Sequence, residues 1–513
     1  MTMLKSHLKV AGAFGLPLLL AACSSVQEQP YTDQERQARI RADQVRMFEA
    51  QEPVTGPISF YEAAARALKY NLDYRLKLME SALAANLRDV SSHEMLPRLV
   101  ASVGRSGRSN DSGGTSIGIE DRQVSLRPST SEERYHTVAG LGLSWSTLDF
   151  AVGYYRTAQK ADQILMAEER RRKVAQNVLQ DVRSAYWRAL GAQRLLPQVD
   201  GLLARTQDAL RQAREAQDKG LLPRQEILAY QRALLDSVSL LTARRQDLEF
   251  AQAELRALMS LPPGAPMQLA DQADPALPKL GADLSQLEQA ALIRRPEIQE
   301  EWYRARVNQR DLDIAKAQLW PNVGVSLGAR YDSNQYLYND QWRAAGIDVS
   351  INLLRLLQLP SLNAAQQSQA DTDDARRIAL SMAVLTQVRI GALRYSLAMQ
   401  ELQFANQSLK VDTELLDYTR SAKKTSVGSD LEVIRAEGRY LLSRYQRETA
   451  QSAAEAAWGR LYNSVGLDVF PEQIDSHDVK TLAAEIEKKT TDIESYRLIG
   501  AVPGDASASP VRQ

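Results

Sequence analysis

Cysteine is nearly absent. The 513-residue chain has one, Cys23, so no disulfide within the chain can staple it and its stability has to come from packing. Histidine is scarce as well: His7, His93, His136 and His477 lie far apart, none pairing with another at metal-ligand spacing. Neither sign of charge is in excess, since 63 Lys and Arg stand against 63 Asp and Glu. No global field therefore recruits nucleic acid or anionic lipid. No P-loop, Gly-rich dinucleotide turn, nucleophile elbow or zinc signature occurs. That leaves no cofactor, no metal and no catalytic residue to assign, and an enzyme is disfavoured. Behind the first 22 residues there is no apolar run of the ~18 residues a transmembrane helix needs. If this chain crosses a bilayer, it does so as a closed β-barrel, the other solution that pairs every backbone group.

What is present begins with the surroundings of that one cysteine, "LPLLLAACSS". Lys5 and Lys9 make a basic start, Val10 to Leu20 an apolar run, and Leu20-Ala21-Ala22 the small residues a signal peptidase needs. Residues 1–22 read as a secretory signal, too short to span a bilayer. A cysteine directly behind Leu-Ala-Ala resembles the lipobox of bacterial lipoproteins. The resemblance implies cleavage before Cys23, acylation of its thiol and of the new amino terminus, and lasting anchorage by several acyl chains. Serine follows the cysteine. Aspartate there would resemble the inner-membrane retention signal, so the implied location is the Gram-negative outer membrane. The plainer alternative is an ordinary signal peptide with a chance cysteine.

The rest of the chain is written twice. One copy starts at Ile58 and the other at Leu284. Each has an Ala/Leu helical pattern, a polar break (Asn71, or Arg295-Pro296) and a second long helical stretch. Each stretch ends in a bulky residue before proline, Leu96-Pro97 and Trp320-Pro321. Proline disfavours helix at the residue before it and lacks the N–H a continuing helix would use. This order predicts an N-terminal extension 23–55, a first repeat 56–260, a linker 261–283, a second repeat 284–467 and a partly disordered tail 468–513.

Behind each proline the period changes to two. Ala139, Leu141, Leu143 and Trp145 oppose Gly140, Gly142, Ser144 and Ser146. Val323, Val325, Leu327, Ala329 and Tyr331 oppose Gly324, Ser326, Gly328 and Arg330. Ala345, Ile347, Val349, Ile351 and Leu353 oppose Gly346, Asp348, Ser350 and Asn352, and Leu99 to Val103 is a weaker fourth run. Such runs have the ~9–11 residues of a tilted transmembrane strand, with aliphatic groups for lipid and small or polar ones for water. A soluble half-buried sheet would alternate in the same way. The runs pair as two hairpins, about 98–148 and 322–354, with loops from Arg105 to Tyr135 and from Asp332 to Arg343. Four strands cannot close when the smallest single-chain barrels have about eight, so other copies must complete the sheet. After each hairpin comes an overlong helical stretch, from Gly153 to Gly220 and from about Ala365 to Gly428. In the first, Val174, Val178, Val182, Ala185 and Ala189 form an apolar stripe and Pro197 is the sole proline.

Taken in order, Glu62-Ala63 through Asn71, Pro97, Pro321, "LSWSTLDFAVG", Lys219-Gly220-Leu221 and Val427-Gly428-Ser429 resemble the TolC-type outer membrane factors in lipoprotein form. The fold this implies is mainly α with a transmembrane β-barrel portion. Three protomers would complete a twelve-stranded barrel, and their long antiparallel helices would form an α-barrel across the periplasm. The implied function is a passive exit duct of a tripartite efflux or type I secretion system. Its implied partners are two more copies of the chain, a periplasmic adaptor, an inner-membrane transporter and outer membrane lipid, with no nucleic acid. The resemblance places adaptor contact at the helical turns Gly220, Leu221 and Leu222 and Val427, Gly428 and Ser429. It places an aperture charge at Glu432; Asp430, beside it at the turn, stands where relatives usually carry a neutral residue and adds a second carboxylate, and Arg435 at i, i+3 can pair with Glu432. Arg435 stands where relatives carry a second acid. The competing reading is a non-channel lipoprotein scaffold with periplasmic coiled coils, which explains anchor and helices but not the bilayer-length strands.

Overall fold

The computed structural model describes residues 29–494 apart from 50, 116, 118, 119, 125, 220–222, 272–276, 279, 281, 282, 425–429 and 472–477. It separates into two units, 1–53 and 54–513. Among the described residues the first holds one helix, α1 (Asp33–Phe48), none of whose residues is buried. Its start is a capping box. Thr32 Oγ1 accepts from Glu35 N at 3.3 Å, and the Glu35 carboxylate accepts from Thr32 N at 2.9 Å.

The second unit opens with α2 (Phe60–Tyr70) and α3 (Leu72–Ser92). Asn71 ends one helix and caps the next, its Oδ1 accepting from Tyr74 N at 3.1 Å. A 3-10 turn (His93–Met95) and Pro97 then hand the chain to a strand. The strands are β1 (Arg98–Gly107), the two-residue β2 (Gly113–Gly114) and β3 (Ser129–Thr130), and β4 (Tyr135–Ser146). Next come α4 (Thr147–Asp218) and α5 (Arg224–Leu258). The second half repeats the plan: α6 (Leu284–Arg294), α7 (Pro296–Ala317), β5 (Asn322–Asp332), β6 (Gln341–Ser350), α8 (Leu359–Lys424) and α9 (Asp430–Val465). A last helix, α10 (Val479–Glu494), packs on α2 and buries Val479, Leu482 and Ile486.

Two strand boundaries correct the sequence reading. The first hairpin loop does not begin at Arg105, because Arg105 pairs with Thr137 and Gly107 with Tyr135. The fourth strand is also displaced. It starts at Gln341, opposite Tyr331, and stops at Ser350 short of Leu353. The alternation runs on, but Asn352 breaks the ladder. Its side chain accepts from Leu354 N at 3.2 Å and its carbonyl from Arg355 N at 3.1 Å, so Leu353–Gln358 winds into a 3-10 helix.

The main core lies where α2, α4, α6, α8 and α9 meet, around Phe60, Tyr186, Trp187, Tyr395 and Trp458. Tyr186 donates its hydroxyl to Ile58 O at 3.2 Å, and burial pushes its pKa up to about 12. The Pro/Gly-rich stretch between the repeats is stitched to the first of them. Ile58 N donates to Gln268 O and Ala270 N to Ile58 O, both at 2.8 Å.

Candidate functional site

The four long strands form one antiparallel sheet in the order β1-β4-β5-β6. They contain 10, 12, 11 and 10 residues, three of them within the ~9–11 of a tilted strand that spans a bilayer and the fourth one residue longer. Register places Leu99, Leu143, Leu327 and Ala345 in one cross-strand row and Trp145, Val325 and Ile347 in another. The opposite face carries Arg98, Ser144, Ser326 and Gly346, and Gly142, Gly328 and Ala344. It is built close: a Cβ on Gly324 would lie 2.6 Å from Asp348 Oδ1. Among the described residues, β1 and β6 each pair on one side only.

The helices repeat the lateral order of the strands. α3 packs on α4, α4 on α7, and α7 on α8. Since α3 leads into β1, α4 leaves β4, α7 leads into β5 and α8 follows β6, the open ends of the helix row continue the open edges of the sheet. Both end helices expose apolar stripes. On α3 these are Leu72, Leu76, Met79, Leu83, Leu87 and Val90, each at least 45% exposed. Their steps of three and four residues are those of a coiled-coil seam. On α8 the exposed residues include Ile390, Leu393, Leu397, Phe404, Val411 and Leu415, again in steps of three, four or seven. Contiguous exposed apolar surface of this extent marks an interaction face.

At the far ends of the long helices, α4 and α5 come beside α8 and α9. Leu210, Ala213 and Leu234 are buried against Tyr230, Leu431 and Ile434. Asp430 is ion-paired to Lys423 across the second turn, and burial, with the nearby Asp430 charge second to it, raises the pKa of Tyr230. Glu432 and Arg435 are both exposed on α9. The residue the sequence did not single out is Glu437. Its carboxylate is buried and takes Arg205 from α4 and, at 3.0 Å, Arg420 from α8. Two guanidiniums on a carboxylate this buried tie the two helical hairpins together. The signal was there as an acid five residues beyond Glu432, but its partners lie 232 and 17 residues away. Cys23 and the turn residues Gly220, Leu221, Leu222, Val427, Gly428 and Ser429 lie outside the described residues.

Comparison with known proteins settles which family builds such a row. The family model for outer membrane efflux proteins matches residues 66–260 and 287–467. The chain belongs to the outer membrane efflux protein family. Its two matched segments fall on the two halves of the molecule. Solved structures of outer membrane channels share the fold of this efflux-family chain at low identity. The Campylobacter jejuni channel CmeC is 12% identical, with a TM-score of 0.62 over 91% of this chain and 97% of its own. The channel OprN is 18% identical, with a TM-score of 0.58 over 79% and 89%. The open state of Neisseria gonorrhoeae MtrE is 16% identical, with a TM-score of 0.57 over 79% and 88%. No curated protein matches the chain by sequence.

Proposed function

We propose that the chain is the exit duct of a tripartite efflux or type I secretion system. In this reading three copies close a twelve-stranded barrel in the outer membrane and a helical barrel in the periplasm. An adaptor docks at the turns around 220–222 and 427–429, and an inner-membrane transporter supplies the energy. The observation that carries the reading is the shared lateral order of strands and helices, with open edges on the same two sides. In lipid, each unpaired backbone group on β1 or β6 would cost several kcal/mol, so the edges require a neighbour. The duct conducts passively. Cys23, acylated behind a signal at 1–22, anchors the extension 23–55 to the membrane, and residues 56–260 and 284–467 are the two repeats joined by 261–283.

Three-fold repetition of Asp430 and Glu432 would gather carboxylates around the periplasmic opening, where like charges attract cations. Lys423 already compensates Asp430. The purified protein in a planar bilayer is expected to conduct with cation preference. Asp430→Asn with Glu432→Gln lowers that preference and Arg435→Ala raises it. A reversal potential that neither change moves sinks the aperture assignment, and absence of any conductance sinks the duct in favour of the tethered scaffold. Palmitate labelling that survives Cys23→Ala removes the anchor from the proposal.

A further inference from the structure

We propose that Arg105 of one protomer and Arg343 of the next hold the phosphate groups of an outer-leaflet glycolipid against the outside of the barrel. The site rests on the trimeric barrel proposed above. The sheet face that carries Leu99, Leu143, Leu327 and Ile347 is exposed and apolar, as a lipid-facing surface is. Along all four strands that face holds two charged residues, Arg105 on β1 and Arg343 on β6. The strand acids Asp332 and Asp348 stand on the opposite face. Both arginines are exposed, and neither makes an ion pair or hydrogen bond among the described residues. An unpaired charge that faces hydrocarbon is costly, and its long stem lets it reach for the head groups.

Their level in the bilayer fits that reach. α3 leads into β1 at Arg98 and α8 follows β6, so Gly107 and Gln341 are the strand ends away from the helices. Arg105 and Arg343 are each the third residue from that end. Tyr135, opposite Gly107, and Tyr331, opposite Gln341, lie on the same face, and tyrosine rings gather at the level of the head groups. A groove of about 360 Å³ on this face is lined by Leu99, Leu141, Leu143 and Leu327, with Arg343 in its row nearest the surface end. The leucines offer a bed for an acyl chain and the guanidinium a partner for the phosphate above it. One molecule supplies both, a phosphorylated lipid, and in the outer leaflet of an outer membrane that lipid is a glycolipid.

Barrel closure brings the two arginines to one seam. β1 runs towards the surface end and β6 away from it, so β1 of one protomer meets β6 of the next antiparallel. Such pairing uses backbone groups in the plane of the sheet and leaves side chains on their own face. A guanidinium from each protomer then flanks the seam, and each presents a fork that matches phosphate oxygens.

Native mass spectrometry of the full-length protein in neutral detergent tests this, with diphosphorylated lipid A, its dephosphorylated form or phosphatidylglycerol added. The trimer is expected to retain the diphosphorylated lipid and to lose the dephosphorylated one. Arg105→Gln with Arg343→Gln, which breaks no ion pair within the chain, is expected to weaken that retention by at least about tenfold. Arg330→Gln, on the opposite face, is expected to leave it unchanged. Equal retention of the dephosphorylated lipid, undiminished retention by the double variant, or an equal loss with Arg330→Gln overturns the proposal. Equal retention of phosphatidylglycerol overturns the choice of a glycolipid. A protein that neither conducts nor forms a trimer fails as a duct, whereas a conducting trimer indifferent to lipid phosphate fails only here.

Discussion

At the scale of single residues, the side chains that matter most to the helical core are charged. Arg183 and Glu455 are both buried and paired at 2.8 Å. The Arg183 guanidinium also lies 4.6 Å from the Phe60 ring centroid and 5.5 Å from that of Tyr462, which compensates part of its desolvation. Removing one partner of such a pair strands a buried charge, at a cost of about 3–5 kcal/mol. Glu455→Ala is therefore expected to lower the denaturant midpoint sharply. The double change Arg183→Met, Glu455→Met should recover most of the loss, and a double variant no better than the single one would contradict this account. Nothing in the sequence pointed to the pair, because its members are 272 residues apart and each reads alone as one more charge on a helix.

Elements were the most legible level. Asn71, Pro97 and Pro321 end or begin the elements the sequence assigned to them, because capping and the missing proline N–H act on the local backbone whatever the tertiary context. Where the reading slipped at β6, a local cap at Asn352 competed with a strand pattern and won. The end of α9 depends on one glycine. Gly466 has a φ of +77°, its N–H donates to Asn463 O at 2.9 Å, and Leu467 N donates to Tyr462 O at 3.1 Å, a Schellman-type stop. A Cβ there would also sit 2.8 Å from the Arg294 carbonyl carbon, a backbone atom that cannot swing away. Gly466→Ala thus combines left-handed strain of roughly 1–2 kcal/mol with a steric clash. It is expected to destabilise the protein by more than the strain alone, read as a lowered thermal midpoint. A midpoint unchanged by the substitution would show that the turn relaxes freely.

For the whole molecule, the decisive surfaces are those one chain leaves bare. The α3 stripe and the α8 stripe stand at opposite ends of the helix row, and in the proposed trimer each meets the other on a neighbouring protomer. Leu76→Glu with Leu83→Glu places two charges in the α3 seam, where each would be desolvated on association. The expected outcome is loss of the trimer in native mass spectrometry, with helix content by circular dichroism nearly retained since neither side chain is buried within the chain. A trimer that survives both charges means that the seam faces solvent and the sheet edges alone hold the assembly.

The sequence by itself determined the duplication, the change from helical to two-residue period behind each proline, and the sheet that four strands leave open. These follow from local backbone preference and from the alternation of side chains, which are properties of neighbours along the chain. Only the tertiary structure decided that strands and helices share one lateral order, that Arg183 meets Glu455, and that Glu437 joins two hairpins. Each of these brings together residues that no periodicity relates, by packing helices of 72, 66 and 36 residues side by side. Which side chains then meet depends on how those helices are rotated and staggered against one another.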